Sequence, residues 1–173
     1  MKKIVYIIKK GLQAYPPCMA QVFILNDLGV KIEVYHGKNT PYINDMLDKR
    51  QIVHHTFCSD KDSKGKFDSA MNFLTFKKEI SRIFAELKYE NSIFWIGNAE
   101  TAIAIEPEVL KSEKYILNIL ELYDEGSFIE KRLRKIQDNA VSVICCEKHR
   151  AAIMECRYGL KNIYVMPNKP YEL

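Results

Sequence analysis

The side chains best placed to do chemistry stand just beyond apolar runs. Gly11, Gln13 and Tyr15 follow the run Ile4 to Ile8, and His36 closes the run Val30 to Tyr35. Asn98 and Glu100 follow Ser92 to Gly97, Glu121 and Tyr123 follow Tyr115 to Leu120, and Glu147 follows Val141 to Cys146. If these runs are parallel strands, the residues after them share one rim, and open parallel sheets bind ligands outside the carboxyl ends of their strands, where strand order reverses. Carboxylates set close together on such a rim can hydrogen-bond sugar hydroxyls or act as a base. The same carboxylates also suit the N-termini of following helices, where negative charge is favoured. The Gly11 loop could offer N–H groups to a phosphate. It holds one glycine, however, with no G-x-G-x-x-G and no P-loop, and Pro16-Pro17 fit the first turn of a helix.

Metal chemistry has two places to look. Asp60-Lys61-Asp62 has the spacing of an acidic metal pair but sits among lysines in a hydrophilic stretch, and Lys64 and Met71 occupy positions where a calcium loop needs ligands. It reads as a solvated loop. His54-His55 lies within a strand pattern, so the two rings point to opposite faces and cannot chelate one ion together. His36 either contacts ligand at a strand end or is an ordinary histidine. No metal site is expected.

Alternating elements are needed to position these residues. Ile4 to Ile8 is continuously apolar, as suits a strand covered on both faces, and a helix follows from about Cys18 to the Gly29 stop. Val30 to Tyr35 alternates with period two. A short helix within 38–50 and a strand over 51–58 come next. Phe67, Met71, Leu74, Ile80, Ile83, Phe84 and Leu87 then mark a long helix with one apolar face. The run at 92–97, a partly helical stretch broken near Pro107, and the run at 115–120 follow. Phe128, Ile129, Leu133 and Ile136 line a further helix whose outer side carries Glu130, Lys131, Arg132, Arg134 and Lys135, which reads as the wet face of an amphipathic helix or, alternatively, as a basic face that could meet anionic lipid headgroups. The chain closes with a strand at Val141 to Cys146, a helix to Tyr158-Gly159, and a strand at Ile163 to Met166 stopped by Pro167-Asn168-Lys169-Pro170. This alternation predicts a Rossmann-like α/β three-layer sandwich: a mostly parallel sheet of six or seven strands with helices on both faces, in one domain over 1–170.

Composition fits that class. The chain has 173 residues, 47% hydrophobic and 28% charged, so it can bury a core and is not a disordered polymer. A net charge of +4 is mild and does not suit a nucleic-acid partner. Five cysteines without C-x-x-C spacing point to a reducing cytoplasm and not to zinc or disulfides. No apolar run approaches the roughly 20 residues of a membrane span, and the N-terminus reads as a first strand.

Four stretches resemble the N-terminal, acceptor-side domain of a two-domain GT-B glycosyltransferase of the retaining family-4 type. They are Lys3-Ile4-Val5-Tyr6-Ile7 with the Gly11 loop, Leu28 to Tyr35, Glu130 to Cys146, and Val165-Met166-Pro167-Asn168-Lys169-Pro170, the last like the family's "V-I-P-N" crossing between domains. The resemblance implies transfer of a sugar from a nucleotide-sugar donor to a saccharide or lipid-linked acceptor, as in polysaccharide biosynthesis, without a metal. It implies that residues 168–173 begin an interdomain linker, that the donor belongs to a C-terminal domain of the same polypeptide, and that this half alone is inactive. It places the protein in the cytoplasm or at the inner face of the membrane, with the acceptor cleft at Gly11, Gln13, Tyr15, His36, Asn98, Glu100, Glu121, Tyr123 and Glu147. The sequence departs from the family's paired glycines in the first loop, and has Asn98 and Glu100 where many members place a histidine. The competing expectations are a stand-alone flavodoxin-like or receiver-like binding domain, and an interaction protein with a flat apolar surface in place of a cleft.

Overall fold

The structure, a computed structural model, describes residues 3–59, 65–87 and 91–168. Strands β1 (Lys3–Ile8), β2 (Ile32–His36), β3 (Val53–Thr56), β4 (Ser92–Ile96), β5 (Tyr115–Asn118), β6 (Ser142–Cys145) and β7 (Ile163–Val165) form one seven-stranded sheet in the order β3-β2-β1-β4-β5-β6-β7. Every pairing is parallel, with Tyr6 opposite Val34 on one side and Trp95 on the other. Parallel neighbours need crossovers, and helices supply them: α1 (Pro16–Asp27), α2 (Pro41–Lys49), α3 (Lys66–Leu87), α4 (Ala99–Ala102), α5 (Pro107–Leu110), α6 (Phe128–Ile136) and α7 (Lys148–Ile153). A wider π-helical turn at Met154–Tyr158 continues α7.

This is the Rossmann-like three-layer sandwich expected from the alternation. The order has three strands on one side of the reversal, as in dinucleotide-type sheets, and differs from the flavodoxin order 2-1-3-4-5. The chain reverses direction across the sheet between β1 and β4, so the loops after these two strands diverge and leave a crevice at the rim.

Strand alternation divides the core. Val5, Ile7, Phe94, Ile96, Leu117 and Val143 face α3 to α7, while Tyr6, Ile8, Val34, Trp95 and Ile144 face the side packed by α1 and α2. The long α3 buries Phe76, Ile80, Ile83, Phe84 and Leu87. Phe67, Met71 and Leu74, in its first half, are exposed, so the apolar face read from the sequence is a core face only from Phe76 onward. Helix α1 ends as its glycine predicts: Gly29 takes φ +73°, and Val30 N–H reaches back to Leu25 O at 3.0 Å.

β7 is the strand expected; it lies at the sheet edge and leaves Tyr164, Val165 and Met166 exposed. One sequence expectation changes. On α6, Glu130 and Arg132 do not belong to a wet basic face. Glu130 is buried, accepts a hydrogen bond from Gly126 N–H and pairs with Arg134. Arg132 turns toward α5, donating to Glu106 at 2.6 Å and to Ile105 O at 3.1 Å. The residues after Asn168, and with them most of the expected linker, lie outside the described residues, as does Asp60-Lys61-Asp62. No helix among the described residues is long and apolar enough to cross a membrane.

Candidate functional site at the strand-order reversal

The crevice is built by the loops after β1, β4 and β5. Tyr15, Asn98, Glu100, Leu120, Glu121 and Tyr123 line a notch of about 40 Å³ there. Five of the nine residues expected at the cleft from sequence therefore meet in one place, brought together from loops more than a hundred positions apart.

A small set of hydrogen bonds fixes the geometry. Asn98 caps α4: its Oδ1 accepts from Thr101 N–H at 2.8 Å and from the Thr101 hydroxyl at 2.7 Å. The Thr101 hydroxyl in turn accepts from Lys9 N–H at 2.9 Å, tying the end of β1 to the loop after β4. Glu100 accepts from Lys9 Nζ at 2.6 Å and from the Tyr15 hydroxyl at 3.1 Å. Lys9 Nζ also lies 5.5 Å from the centre of the Phe73 ring on α3.

The electrostatics follow from these contacts. Burial opposes the charge on Glu100, but the hydrogen bond and charge of Lys9, with Lys10 and the Tyr15 hydroxyl, hold its carboxyl below the ordinary value. Burial raises the Tyr15 phenol strongly, and the charge of Glu100 adds to it. Burial and the charges of Glu121 and Glu100 push Tyr123 up to about 12. Both tyrosines are thus neutral hydrogen-bonding groups beside carboxylates.

Beneath the notch lies a buried polar floor. Asn118 Nδ2 donates to Gln21 Oε1 and to Gly97 O, each at 3.0 Å, and Gln21 Oε1 also accepts from the Tyr6 hydroxyl at 2.8 Å. Cys18 Sγ–H completes the floor by donating to Gly97 O at 3.2 Å, and burial raises this thiol to about 11. Gly97 has no room for a side chain: a Cβ would lie 3.0 Å from the Tyr6 ring and 3.1 Å from Ile7 O.

The other expected residues are placed differently. Gly11 and Gln13 form a brace and do not line the notch: Gln13 Nε2 donates to Lys38 O at 2.8 Å, and a Cβ on Gly11 would sit 2.3 Å from that same oxygen. Three of the loop's N–H groups are committed as well. Leu12 N–H donates to Asn39 Oδ1 at 2.8 Å, Ala14 to Gly11 O and Tyr15 to Leu12 O. Pro16 and Pro17 have no N–H, and Cys18 N–H is taken by Tyr15 O at 2.9 Å, so the start of α1 is poorly equipped to grip phosphate. His36 is fully buried against His54, with Nδ1 at 2.5 Å from Gly37 O and Nε2 at 3.0 Å from His54 Nδ1. His54 points to His36 and His55 to Glu33, on opposite faces. Glu147 caps α7, accepting from His149 and Arg150 N–H at 2.7 and 3.2 Å; these bonds hold its carboxyl below the ordinary value. Among the described residues no group of three or more His, Cys, Asp or Glu is placed to hold a metal.

Sequence reasoning missed Lys9, Thr101, Asn39 and the Gln21–Asn118 floor. A lysine pair at a strand end was the visible signal for Lys9; its partner Glu100 stands 91 positions away, and nothing local links them.

No protein-family model and no curated protein matches the sequence. Solved structures do share its fold. A glycosyltransferase from Rickettsia africae ESF-5 aligns with a TM-score of 0.62 at 15% identity, covering 96% of this chain and 42% of that one. Anabaena Alr3699/HepE, solved in complex with UDP, aligns with a TM-score of 0.65 at 10% identity over 97% of this chain and 44% of its own. A sucrose-phosphate synthase structure from Thermosynechococcus elongatus gives 0.63 at 10% identity, over 96% and 88% respectively. At these identities the likeness is one of fold. The chain spans less than half the length of the Rickettsia and Anabaena proteins.

Proposed function

We propose that this chain is the acceptor-side domain of a two-domain, GT-B-type glycosyltransferase, which moves a sugar from a nucleotide-sugar donor to a saccharide or lipid-linked acceptor. The observation that carries this reading is the extent of the fold likeness: 96–97% of the chain aligns with less than half of a glycosyltransferase structure and of a structure solved in complex with UDP. The crevice supports it. Its carboxylates, tyrosines and amide suit hydroxyl groups, whereas the proline-started α1 offers few amides for a diphosphate. A notch of about 40 Å³ is far below the roughly 300 Å³ of a self-sufficient small-molecule pocket, as fits a half-site completed by a second wall.

In this reading the donor sits on a separate domain of the same polypeptide, the reaction needs no bound metal, and the anomeric configuration is retained. The setting is the cytoplasm or the inner membrane face.

Titrating the chain separately with UDP-sugars and with free saccharides, followed by amide NMR, tests the division of labour. Saccharides are expected to shift the amides of the Tyr15, Asn98 and Glu121 loops, while nucleotide-sugars bind negligibly. Tight binding of a nucleotide-sugar by this domain alone would overturn the assignment.

A further inference from the structure

The wall of the notch that carries Glu121 and Tyr123 is held from behind. The hydrogen bonds that reach the backbone of Leu120 and Tyr123 among the described residues come from the last crossover, between β6 and β7. Arg150 on α7 donates from Nη1 to Leu120 O, and Cys146 Sγ–H donates to the same oxygen at 3.5 Å. Tyr158 takes both backbone groups of Tyr123: its hydroxyl accepts from Tyr123 N–H at 2.7 Å and donates to Tyr123 O. One hydroxyl thus pins the residue at both of its peptide units. Tyr158 is 1% exposed, so water does not compete for these bonds. The phenol reaches the loop because of the π-helical turn at Met154–Tyr158. In an unbroken α-helix, a residue eight positions after Arg150 is turned about 80° away from it, whereas one seven positions after lies within about 20°. The i→i+5 turn takes up one extra residue, and Tyr158 comes round to the side from which Arg150 meets the same loop. Helix α6 supports the turn, with Gln137 Nε2 donating to Gly159 O at 3.0 Å and Arg134 donating to Arg157 O.

We infer that Tyr158 is a positioning residue for acceptor binding, with Arg150 as a second point of support: acting through Tyr123, it holds the loop after β5 in the arrangement that sets Glu121 and Tyr123 against the notch. The inference rests on the acceptor-side reading of the domain. Tyr158 is buried and does not line the notch, so its effect on a ligand travels through the loop alone. Without the hydroxyl, the N–H and carbonyl of Tyr123 lose their partners together, and the loop gains from any shift that turns them to water. The arrangement that binds saccharide then holds a smaller share of the population, and the apparent affinity falls by that share.

Tyr158→Phe removes the hydroxyl and keeps the buried ring. Arg150→Met removes the other donor from a partly exposed helix position, and decides the question where the first variant unfolds. Glu106→Gln is the control, since it weakens a clamp among α3, α5 and α6 and touches no residue of the loop. The full chain is titrated with glucose, galactose and N-acetylglucosamine by amide NMR, and amide hydrogen exchange is followed in the same variants. At least one of these sugars is expected to bind the parent, about fivefold more weakly after Tyr158→Phe or Arg150→Met, and Tyr158→Phe should speed exchange at Tyr123 N–H relative to the amides of β1 and β4. Glu106→Gln should lower overall stability and leave saccharide affinity as in the parent. Unchanged affinity in Tyr158→Phe, or in Arg150→Met where the first variant unfolds, overturns the positioning role and leaves the acceptor-side reading standing, as does an equal loss in Glu106→Gln. Failure of every saccharide to bind the parent overturns that reading and the positioning role with it.

Discussion

Glu100 is the residue in this crevice whose ionisation the surroundings control most directly. Lys9 and Tyr15 both bond its carboxylate, and its native pKa lies below the ordinary value despite burial. With the native value depressed, the unfolded state binds the proton more readily. The ion pair therefore contributes fully above the unfolded value of about 4.3, and the contribution is lost as pH falls through the lower native value. Glu100→Gln is expected to cost about 1 kcal/mol at neutral pH, and the gap to the parent should close on acidification. Denaturant titrations across pH that give a constant gap would contradict the pairing. Gly11 is constrained by space and not by φ, since a Cβ would meet Lys38 O at 2.3 Å. Gly11→Ala should destabilise by about 1–3 kcal/mol in urea unfolding. The loop residues Tyr15, Asn98, Glu100, Glu121 and Tyr123 were legible because strand ends in a parallel sheet share a rim. The role of Gly11 was not, because the oxygen that excludes a side chain arrives from the loop after β2.

At the scale of elements, local signals did well where the physics is local. Ser127 caps α6 by accepting from Glu130 N–H at 3.2 Å, and Glu130 reaches back to Gly126 N–H at 3.1 Å, a near relative of the capping box that S-x-x-E spells. Ser127→Ala should cost about 1 kcal/mol, read as a lower thermal midpoint. Glu106 links three elements, pairing with Lys77 of α3 and Arg132 of α6 at the start of α5. Its carboxyl is held below the ordinary value by the Lys77 and Arg132 hydrogen bonds. Glu106→Gln weakens this clamp and leaves a partly buried Arg132 poorly paired; with Glu106 itself screened by solvent, a loss of about 1 kcal/mol in chemical unfolding is expected. Periodicity could not anticipate the clamp. It places Arg132 on the outer side of α6 by charge, whereas the structure turns the residue inward because a carboxylate and a carbonyl wait on α5.

For the whole molecule, the proposed division of labour predicts that this domain binds saccharide weakly and nucleotide-sugar negligibly, an outcome the paired titrations decide. What the sequence determined by itself was the fold class, the seven strands and their parallel sense, and the rim on which candidate residues fall. These follow from side-chain period, turn chemistry and the need of parallel strands for crossovers, all written within a few residues of each other. Only the tertiary structure decided which rim residues meet. The reversal between β1 and β4 brought Tyr15, Asn98, Glu100, Glu121 and Tyr123 around one notch, left His36 and Glu147 to buried stacking and capping, and supplied Lys9 as the countercharge. Those outcomes depend on strand order and on contacts between loops more than a hundred residues apart, for which no local pattern of side chains carries a record.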